Sequence, residues 1–483
     1  MRDSITKLVS ISFLGGLIGR ALRYGFNVVI ARGLGVEALG IFAFGMVIMK
    51  GGGVFARVGL DNAAKKYIPI YRDNDDPARV SGTILLCLGT PFVVGTVIAV
   101  VLYFGKGLTE KLVGTTFHAT TALFILGIPL IAIMMVGVNA TYGLKETKYS
   151  VYIRDFGQSI AALVLMAIAA FVVSDLSVLV VGYLLSILIG AVLAIFFLHQ
   201  ENALRLDIKP VFEYRKIFAF SIPLTLVASI QYLVSWTDIL VLGVFVSSES
   251  VGWYQAAYQT SVLLIVVLQS MNSIFPSIAA GLHKSGQHER LNRLYTAVTK
   301  WVTYLTVLGL AYVLVYSQQI LSIFGTTVQS AEISLVILAI GQSVAATVGP
   351  AGYLLMMTGY ERLQVVNTTI TAVLNFALNI VLIQSYGIIG AAIATGVSFS
   401  ILNLLRLAQV WLLLGIQPYS REYWRGAFAI LGAALALSLV KLLPAPGYIQ
   451  LVVGGSIAIL IFVATLWSFG LTDEDEILIE AIN

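Results

Sequence analysis

Charged residues are scarce in this sequence. Of its 483 residues, 59% are hydrophobic and only 11% are charged, whereas about 25% is usual for a soluble protein. The mean hydropathy is +0.94. This composition excludes a soluble globular domain and predicts a polytopic membrane protein. The net charge of +5 is therefore no sign of nucleic-acid binding.

Several chemical motifs are also missing. Cysteine occurs once, at Cys87, so an intramolecular disulfide is excluded. No G-x-x-x-x-G-K-[ST] loop and no G-x-S-x-G turn occurs, which removes the usual signs of a phosphate-cradling loop or a nucleophilic serine. The histidines lack zinc-ligand spacing and are predicted to be solvated: His118, His199, His283 and His288. We expect neither an enzyme nor a cofactor or metal site.

Long apolar segments recur along the chain with short interruptions. They predict an all-α fold with about 14 transmembrane helices, because about 20 apolar residues span a bilayer. The first is too long for a signal-peptide core and is predicted to be a retained span. The predicted spans are 9–34, 38–58, 80–104, 116–140, 150–173, 177–198, 217–245, 252–278, 297–316, 331–357, 364–384, 388–414, 424–443 and 448–469.

The distribution of Lys and Arg predicts the orientation. With the N-terminus inside, 22 of the 29 Lys and Arg residues fall at inner connections and 4 at outer ones. Inner loops of membrane proteins carry such an excess. We therefore expect the cytoplasmic (cell) membrane, with both termini in the cytoplasm. The acidic tail Asp473–Glu476 is predicted to be solvated there.

A faint internal repeat is present. The segments Glu37–Phe42 and Glu249–Tyr254 share a Glu, a Gly and an aromatic residue at an offset of 212. Six spans per repeat predicts two six-helix lobes related by a pseudo-two-fold axis along the membrane normal. The predicted lobes are 1–210 and 211–415, and 416–483 adds two helices and the acidic tail.

The first span carries two cations. Ser12, Gly16, Arg20, Arg23 and Asn27 share one helical face, because residues three and four apart are neighbours. Arg20 lies roughly 20 Å from the inner end at 1.5 Å per residue, where a cation costs about 2.5–3.5 kcal/mol. Two interpretations remain open: a structural ion pair with an acid on another helix, or a cationic lumen that receives an anion.

The second span adds Lys50 and Arg57 on one face. The predicted deep cations are Arg20, Arg23 and Lys50, and the predicted deep acid is Asp238, which leaves an excess of two positive charges. A purely structural network would be closer to balance, so the excess favours an anionic ligand such as a diphosphate. The predicted substrate-binding residues are Arg20, Arg23, Asn27, Lys50 and Arg57.

Two further features leave alternatives open. Asp238 either pairs with Arg23 or Lys50, which we favour, or binds Na⁺ or H⁺ as a coupling ion. Gly51, Gly52 and Gly53 either act as a hinge of the second span or permit close packing or a local break.

Five segments then resemble one family. The motifs at Ile274–Ser277, Gly286–Leu294, Leu355–Asn367 and Asn375–Ser398, with the turn at Ala31–Phe44, are similar to the multidrug/oligosaccharidyl-lipid/polysaccharide exporter superfamily. The closest resemblance is to its polysaccharide flippase branch. The resemblance implies that a polyprenyl-linked oligosaccharide bearing a diphosphate or phosphate is translocated by alternating access without ATP. It also implies membrane lipids and glycan polymerase or glycosyltransferase machinery as partners.

Two other functions are weighed against this one. A cation-coupled drug exporter of the same superfamily usually has 12 spans and an acidic lumen, and neither matches the sequence. A membrane glycosyltransferase or polysaccharide ligase usually has a sizeable outer loop with catalytic carboxylates or histidines, whereas the predicted outer connections are short.

Overall fold

The computed structural model describes residues 2–105, 119–205, 207–470, 472 and 474–475, with side chains from Ile18 on except at positions 119, 147, 234, 273 and 274. Within these residues the chain is helical and contains no β-strand. Predictions for several positions lie outside the described residues or side chains: Ser12, Gly16, Lys106, Lys111, His118, Asp473 and Glu476.

The chain divides into two compact units, Met1–Gln255 and Ala256–Asn483. Helices that begin in the first unit are α1 Arg2–Leu34, α2 Val36–Ala56, α3 Leu60–Asp73, α4 Pro77–Phe104, α5 Ala119–Leu126, α6 Ile128–Gly143, α7 Lys148–Val173, α8 Leu176–Gln200, α9 Tyr214–Phe245 and α10 Ser248–Val262. The second unit contains α11 Val266–Lys284, α12 His288–Leu321, α13 Glu332–Thr347, α14 Ala351–Met357, α15 Glu361–Leu414, α16 Tyr423–Lys441 and α17 Gly447–Phe469.

Many of these helices are long and apolar enough to cross a membrane. Among the described residues 11 helices qualify, or 12 if the bent pair Thr120–Leu126 and Ile128–Gly143 forms one span. Helix α15 has 54 residues and bends at Gly387, whose φ of 55° favours glycine. The predicted spans 364–384 and 388–414 are its two limbs. The all-α polytopic fold is confirmed, and the number 14 stays a prediction.

Helix α9 packs against α2 in the first unit. The hydroxyl of Tyr232 donates to the carbonyl of Val47 at 2.6 Å, and Gly243 leaves space for the ring of Phe44. The first unit therefore includes α9 and ends after Gln255. The predicted lobes 1–210 and 211–415 and the segment 416–483 are based on the sequence repeat and not on packing. They stay a prediction.

The two copies of the sequence repeat meet in the first unit. A Cβ atom on Gly40 would overlap the carbonyl oxygen of Ser248, and a Cβ atom on Gly252 would overlap that of Val36. Gly40 and Gly252 are equivalent in the repeat, as are Val36 and Ser248. A reciprocal contact of equivalent residues is the product of a local two-fold relation, and only glycine permits it at this distance.

Gly51, Gly52 and Gly53 lie inside α2, which runs unbroken from Val36 to Ala56. A Cβ atom on Gly52 would lie 2.6 Å from Ile128 Cδ1, and one on Gly53 would lie 2.7 Å from Ile131 Cγ2. Gly52 and Gly53 therefore pack closely against α6, and α2 has no break at these glycines. Rotation of α2 about these glycines stays a prediction.

In the second unit the acidic tail is not fully solvated. Asp475 is buried, and its Oδ1 lies 2.8 Å from Lys300 Nζ and 2.7 Å from Trp301 Nε1. Glu474 Oε2 lies 3.3 Å from the same ammonium group, and Thr472 Oγ1 accepts from it at 2.6 Å. The predicted solvated tail is wrong for Glu474 and Asp475, because the buried Lys300 on α12 attracts them. We call these five residues the tail clasp.

Candidate functional site

Arg23 on α1 faces an acid of α7. Its Nη1 lies 3.2 Å from Asp155 Oδ1 and 3.5 Å from Ser159 Oγ. The Asp155 side chain is 2% exposed, whereas that of Arg23 is 35% exposed. The guanidinium therefore combines a buried ion pair with an accessible edge.

A glycine and a π-helical segment bring Asp155 to this position. A Cβ atom on Gly19 would lie 2.7 Å from Asp155 Oδ1, so no larger residue fits beside the carboxylate. Residues Val151–Gln158 of α7 form the π-helical segment, a feature that often occurs at functional sites. Sequence reasoning missed Asp155 because its predicted place was near the inner end of a span. The signal available in the sequence was Gly19 next to Arg20, because a glycine beside a cation leaves room for a side chain from another helix.

Arg154 shares the same carboxylate. Its Nη2 lies 3.3 Å from Asp155 Oδ2, so one negative charge serves two arginines. Because buried charges are costly unless paired, Asp155 accounts for part of the positive charge of this region and leaves a surplus.

Arg20 is the arginine of this region whose positive charge is least compensated by acids. It is partly buried one helical turn before Arg23, and in the part of the chain that the structure describes no carboxylate lies within ion-pair distance of it. Arg23 and Arg154 add to the positive potential around it, and Asp155 offsets part of that potential. A guanidinium without an acid partner, and with a planar fork of donors, suits a phosphate group.

Asn27 has a different role from the predicted one. Its Nδ2 donates to the carbonyl of Arg23 at 2.6 Å, and its Oδ1 accepts from Gln255 Nε2 at 3.3 Å. The residue is 1% exposed. Asn27 is therefore engaged at both ends of its amide and connects α1 to α10 instead of facing open space.

Lys50 and Arg57 on α2 differ in their partners. Lys50 Nζ lies 5.4 Å from the ring centroid of Trp236, a cation–π distance, and has no carboxylate partner among the described residues. Arg57 Nη1 lies 3.2 Å from Asp61 Oδ2. The charge of Arg57 is thus compensated locally, and that of Lys50 is not.

The predicted pairing of Asp238 with Arg23 or Lys50 is wrong in this structure. Asp238 Oδ2 accepts from the hydroxyl of Tyr254 at 2.6 Å, and Oδ1 accepts from the backbone N–H of Ile239 at 2.8 Å. Arg23 is occupied by Asp155, which lies on a helix that packs directly against α1. Sequence spacing identifies faces of one helix but not the helix that meets them.

The revised charge count keeps the predicted excess. The described cations of this region are Arg20, Arg23, Lys50 and Arg154, and the acids are Asp155 and Asp238. Four cations against two acids again leave two positive charges. We call Arg20, Arg23, Arg154, Asp155 and Lys50 the cationic cluster. No group of His, Cys, Asp and Glu in the described residues could hold a metal ion.

An all-helical membrane fold with such a surplus of cations fits the class of membrane transporters, because intramembrane cations commonly mark substrate or ion pathways. The comparisons with known proteins agree with this class. Residues 5–281 match the family described as polysaccharide biosynthesis protein, and this chain belongs to that family. Residues 223–381 also match the family described as MatE. The resemblance found in the sequence motifs is confirmed.

Two curated relatives come from Haloferax volcanii. The probable low-salt glycan biosynthesis flippase Agl15 is 30% identical over 53% of this chain and 54% of its own length. The probable flippase AglR is 30% identical over 35% of this chain and 37% of its own length. The chain thus matches about half or less of each of these relatives.

A solved structure extends the fold comparison to nearly the whole chain. The lipid II flippase MurJ in an inward closed conformation superimposes with a TM-score of 0.72 over 94% of this chain and 98% of that chain. The sequence identity is 15%, so this likeness establishes the fold alone.

Proposed function

We propose that this protein is a flippase that moves a polyprenyl-(di)phosphate-linked oligosaccharide across the cytoplasmic membrane for polysaccharide or glycan biosynthesis. Membership of the polysaccharide biosynthesis family supports the proposal, as does the similarity to the probable flippases Agl15 and AglR. The observation that carries it is Arg20, which lies beside Arg23 and Arg154 and has no carboxylate within ion-pair distance among the described residues. A diphosphate supplies two negative charges, which matches the excess of the four cations of this region over Asp155 and Asp238.

The protein acts as a transporter and not as an enzyme. Alternating access moves the substrate without ATP, and the cationic cluster binds the head group where water is scarce, so that charge-assisted hydrogen bonds are strong. Asp155 holds Arg23 and Arg154 in place and leaves Arg20 for the ligand. Membrane lipids surround the carrier chain, and a glycan polymerase or glycosyltransferase supplies or consumes the glycan.

Both termini lie in the cytoplasm. The support for this orientation is the ratio of 22 inner to 4 outer Lys and Arg residues, since such an excess marks the inner side. A fluorescent protein attached after Asn483 should be bright in living cells, and a dark fusion of normal abundance would contradict the orientation.

Asp238 is the acid that we assign to coupling by Na⁺ or H⁺. It is 5% exposed, and its partners are a hydroxyl and a backbone amide instead of a cation. Intramembrane acids of this kind commonly mark ion pathways. Asp238→Asn should abolish the dependence of transport on the ion gradient while substrate binding is kept. Unchanged gradient dependence would remove Asp238 from coupling.

A cation-coupled drug exporter is the second candidate, because residues 223–381 match the MatE family. An organic cation would meet the surplus positive charge of Arg20, Lys50 and their neighbours, which repels it. The cationic cluster therefore favours the anionic glycolipid over a cationic drug. A polysaccharide ligase is the candidate of another class. It would change the glycan linkages of the substrate, whereas a flippase leaves them unchanged.

The test uses the purified full chain in liposomes that contain a fluorescent lipid-linked oligosaccharide. The flippase should transfer the sugar between leaflets, as measured by its accessibility to an added glycosidase, and mass spectrometry should find every glycan linkage unchanged. Arg20→Ala should abolish transfer at normal protein abundance, and the exposed Arg362→Ala serves as the matched control. Altered linkages would establish a ligase, and transport of a cationic dye without sugar transfer would establish a drug exporter.

A further inference from the structure

A second group of polar side chains surrounds an arginine in the second unit. Arg406 on the second limb of α15 donates from Nε to Gln364 Oε1 at 3.0 Å and from Nη1 to Asn403 Oδ1 at 3.2 Å. Beside them, Asn367 and Gln409 exchange two hydrogen bonds of 2.6 and 3.0 Å. We call these five residues the amide cluster.

The positive charge of Arg406 has no acid partner among the residues described. Its guanidinium has five N–H groups, and two hydrogen bonds leave three of them for a ligand. Lys300 in the same unit shows the opposite arrangement, since two carboxylates lie 2.8 and 3.3 Å from its ammonium group. An uncompensated arginine in a membrane helix indicates an anion-binding site.

The amides around Arg406 suit a ligand rich in hydroxyl groups. Each side-chain amide offers two N–H donors and an oxygen with two lone pairs, and the Asn367–Gln409 pair uses only part of this capacity. Gln364, Arg406 and Gln409 are partly exposed, whereas Asn367 and Asn403 are buried behind them. The cluster therefore presents an accessible edge with fixed polar groups behind it.

Polar side chains continue along the first limb of α15 from this cluster. Asn375 and Asn379 follow Asn367 and Thr371 at helical spacing and are 5% and 0% exposed. Asn379 Nδ2 donates to Asn375, but Asn379 Oδ1 has no partner among the described groups. A buried acceptor without a donor costs free energy, so this part of the helix is polar beyond what its own hydrogen bonds require.

We propose that the amide cluster is a sugar-phosphate site, in which Arg406 binds a phosphoryl oxygen and the amides bind sugar hydroxyls. This inference rests on the proposed function and deepens it, because it places part of the substrate's head group on the second unit. The phosphoryl group alone could also come from a phospholipid of the bilayer. The ring hydroxyls distinguish the two sources.

A reporter cysteine tests the site in the full chain. The native Cys87 is 0% exposed, so a thiol introduced by Tyr353→Cys would be labelled selectively. Tyr353 is 39% exposed and follows Gly352. A Cβ atom on Gly352 would lie 3.1 Å from Arg406 Cζ, so position 353 is next to a residue that packs against Arg406. The rate of maleimide labelling is measured in phosphatidylcholine nanodiscs against glucose 1-phosphate and against inorganic phosphate.

Glucose 1-phosphate should slow labelling at lower concentration than inorganic phosphate does. Arg406→Gln should raise the half-maximal concentration of glucose 1-phosphate by about tenfold or more, because it removes hydrogen bonds between a charged donor and the phosphoryl oxygens. Arg406→Lys keeps the positive charge but loses the planar fork of donors. Its half-maximal concentration of glucose 1-phosphate should therefore lie between those of the parent and of Arg406→Gln. Arg362→Gln, at an exposed arginine on the same helix, should change nothing.

Three outcomes overturn the inference. One is labelling that no probe slows, and another is protection that Arg406→Gln and Arg406→Lys leave unchanged in folded protein. The third is equal protection from phosphatidylglycerol nanodiscs without added sugar, which would make this a lipid-headgroup site. Protection in a protein that fails to flip lipid-linked glycan would refute the proposed function and leave the sugar-phosphate site standing.

Discussion

The cationic cluster of the first unit and the tail clasp of the second differ in how many acids compensate their cations. Both place cations among apolar helices. In the cationic cluster a single carboxylate, Asp155, serves Arg23 and Arg154 while Arg20 has no acid partner among the described residues. In the tail clasp two carboxylates, Glu474 and Asp475, surround the single cation Lys300.

This difference separates a binding role from a structural one. A buried cation that is fully compensated gains nothing from a further anion, whereas an undercompensated one is stabilised when an anion arrives. We therefore assign the tail clasp to the stability of the second unit and the cationic cluster to the ligand. Each prediction below changes the balance of charge in one of the two regions.

The largest effect is expected when Lys300 loses its partners. Its side chain is 2% exposed, so Glu474→Ala/Asp475→Ala leaves a buried charge unpaired and should destabilise the protein by about 3 kcal/mol. Adding Lys300→Met removes that charge and should restore most of the loss. Thermal unfolding in detergent measures the stability of the parent and of both variants.

The matched control for this series is Glu289→Ala. Glu289 also pairs with a cation, Arg293, but its side chain is 81% exposed, so the change should cost less than about 1 kcal/mol. If the double variant of the tail is no less stable than Glu289→Ala, the tail clasp is not structural.

A smaller effect is expected at Arg23. Arg23→Ala leaves the buried Asp155 with Arg154 alone and should destabilise the protein by about 2 kcal/mol. Arg23→Ala/Asp155→Ala should recover part of this loss, because the two residues are in contact. Arg23→Ala/Asp238→Ala should recover none. Equal recovery in both double variants would contradict the assignment of Asp155 as the partner.

The smallest effect concerns acid. Burial raises the pKa of the Asp475 carboxyl, but hydrogen bonds from Lys300, Thr472 and Trp301 outweigh it and hold the pKa below its usual range. A lowered pKa contributes stability above the unfolded value of about 4 and loses it as the pH falls below that value. The melting temperature should therefore fall less steeply between pH 7 and pH 3 in Lys300→Met than in the parent. Equal slopes would contradict this expectation.

The sequence predicted those features that depend on one helix at a time. The spans follow from long apolar runs, and the shared face of Arg20 and Arg23 follows from the helical period. The repeat at Glu37–Phe42 and Glu249–Tyr254 also corresponds to a reciprocal contact, at Gly40 and Gly252. These are local patterns, which a single sequence records directly.

The features that sequence reasoning missed depend on which helices meet. Asp155 was placed near a membrane surface, yet Gly19 and a π-helical segment bring it to Arg23. Asp475 belongs to an acidic run that is typical of a solvated tail, yet Lys300 lies buried 175 residues earlier and pairs with it. Charge alone does not reveal its partner when the partner is distant in sequence.

The most direct test of the central claim compares Arg20→Ala with Glu474→Ala/Asp475→Ala in the liposome assay. Both transfer of the lipid-linked oligosaccharide and thermal stability are measured for each. We predict that Arg20→Ala abolishes transfer and keeps its stability, because Arg20 has no ion pair to lose among the described residues. The tail variant should lose stability and, below its melting temperature, retain transfer. Normal transfer in Arg20→Ala would contradict the assignment of the cationic cluster to the substrate.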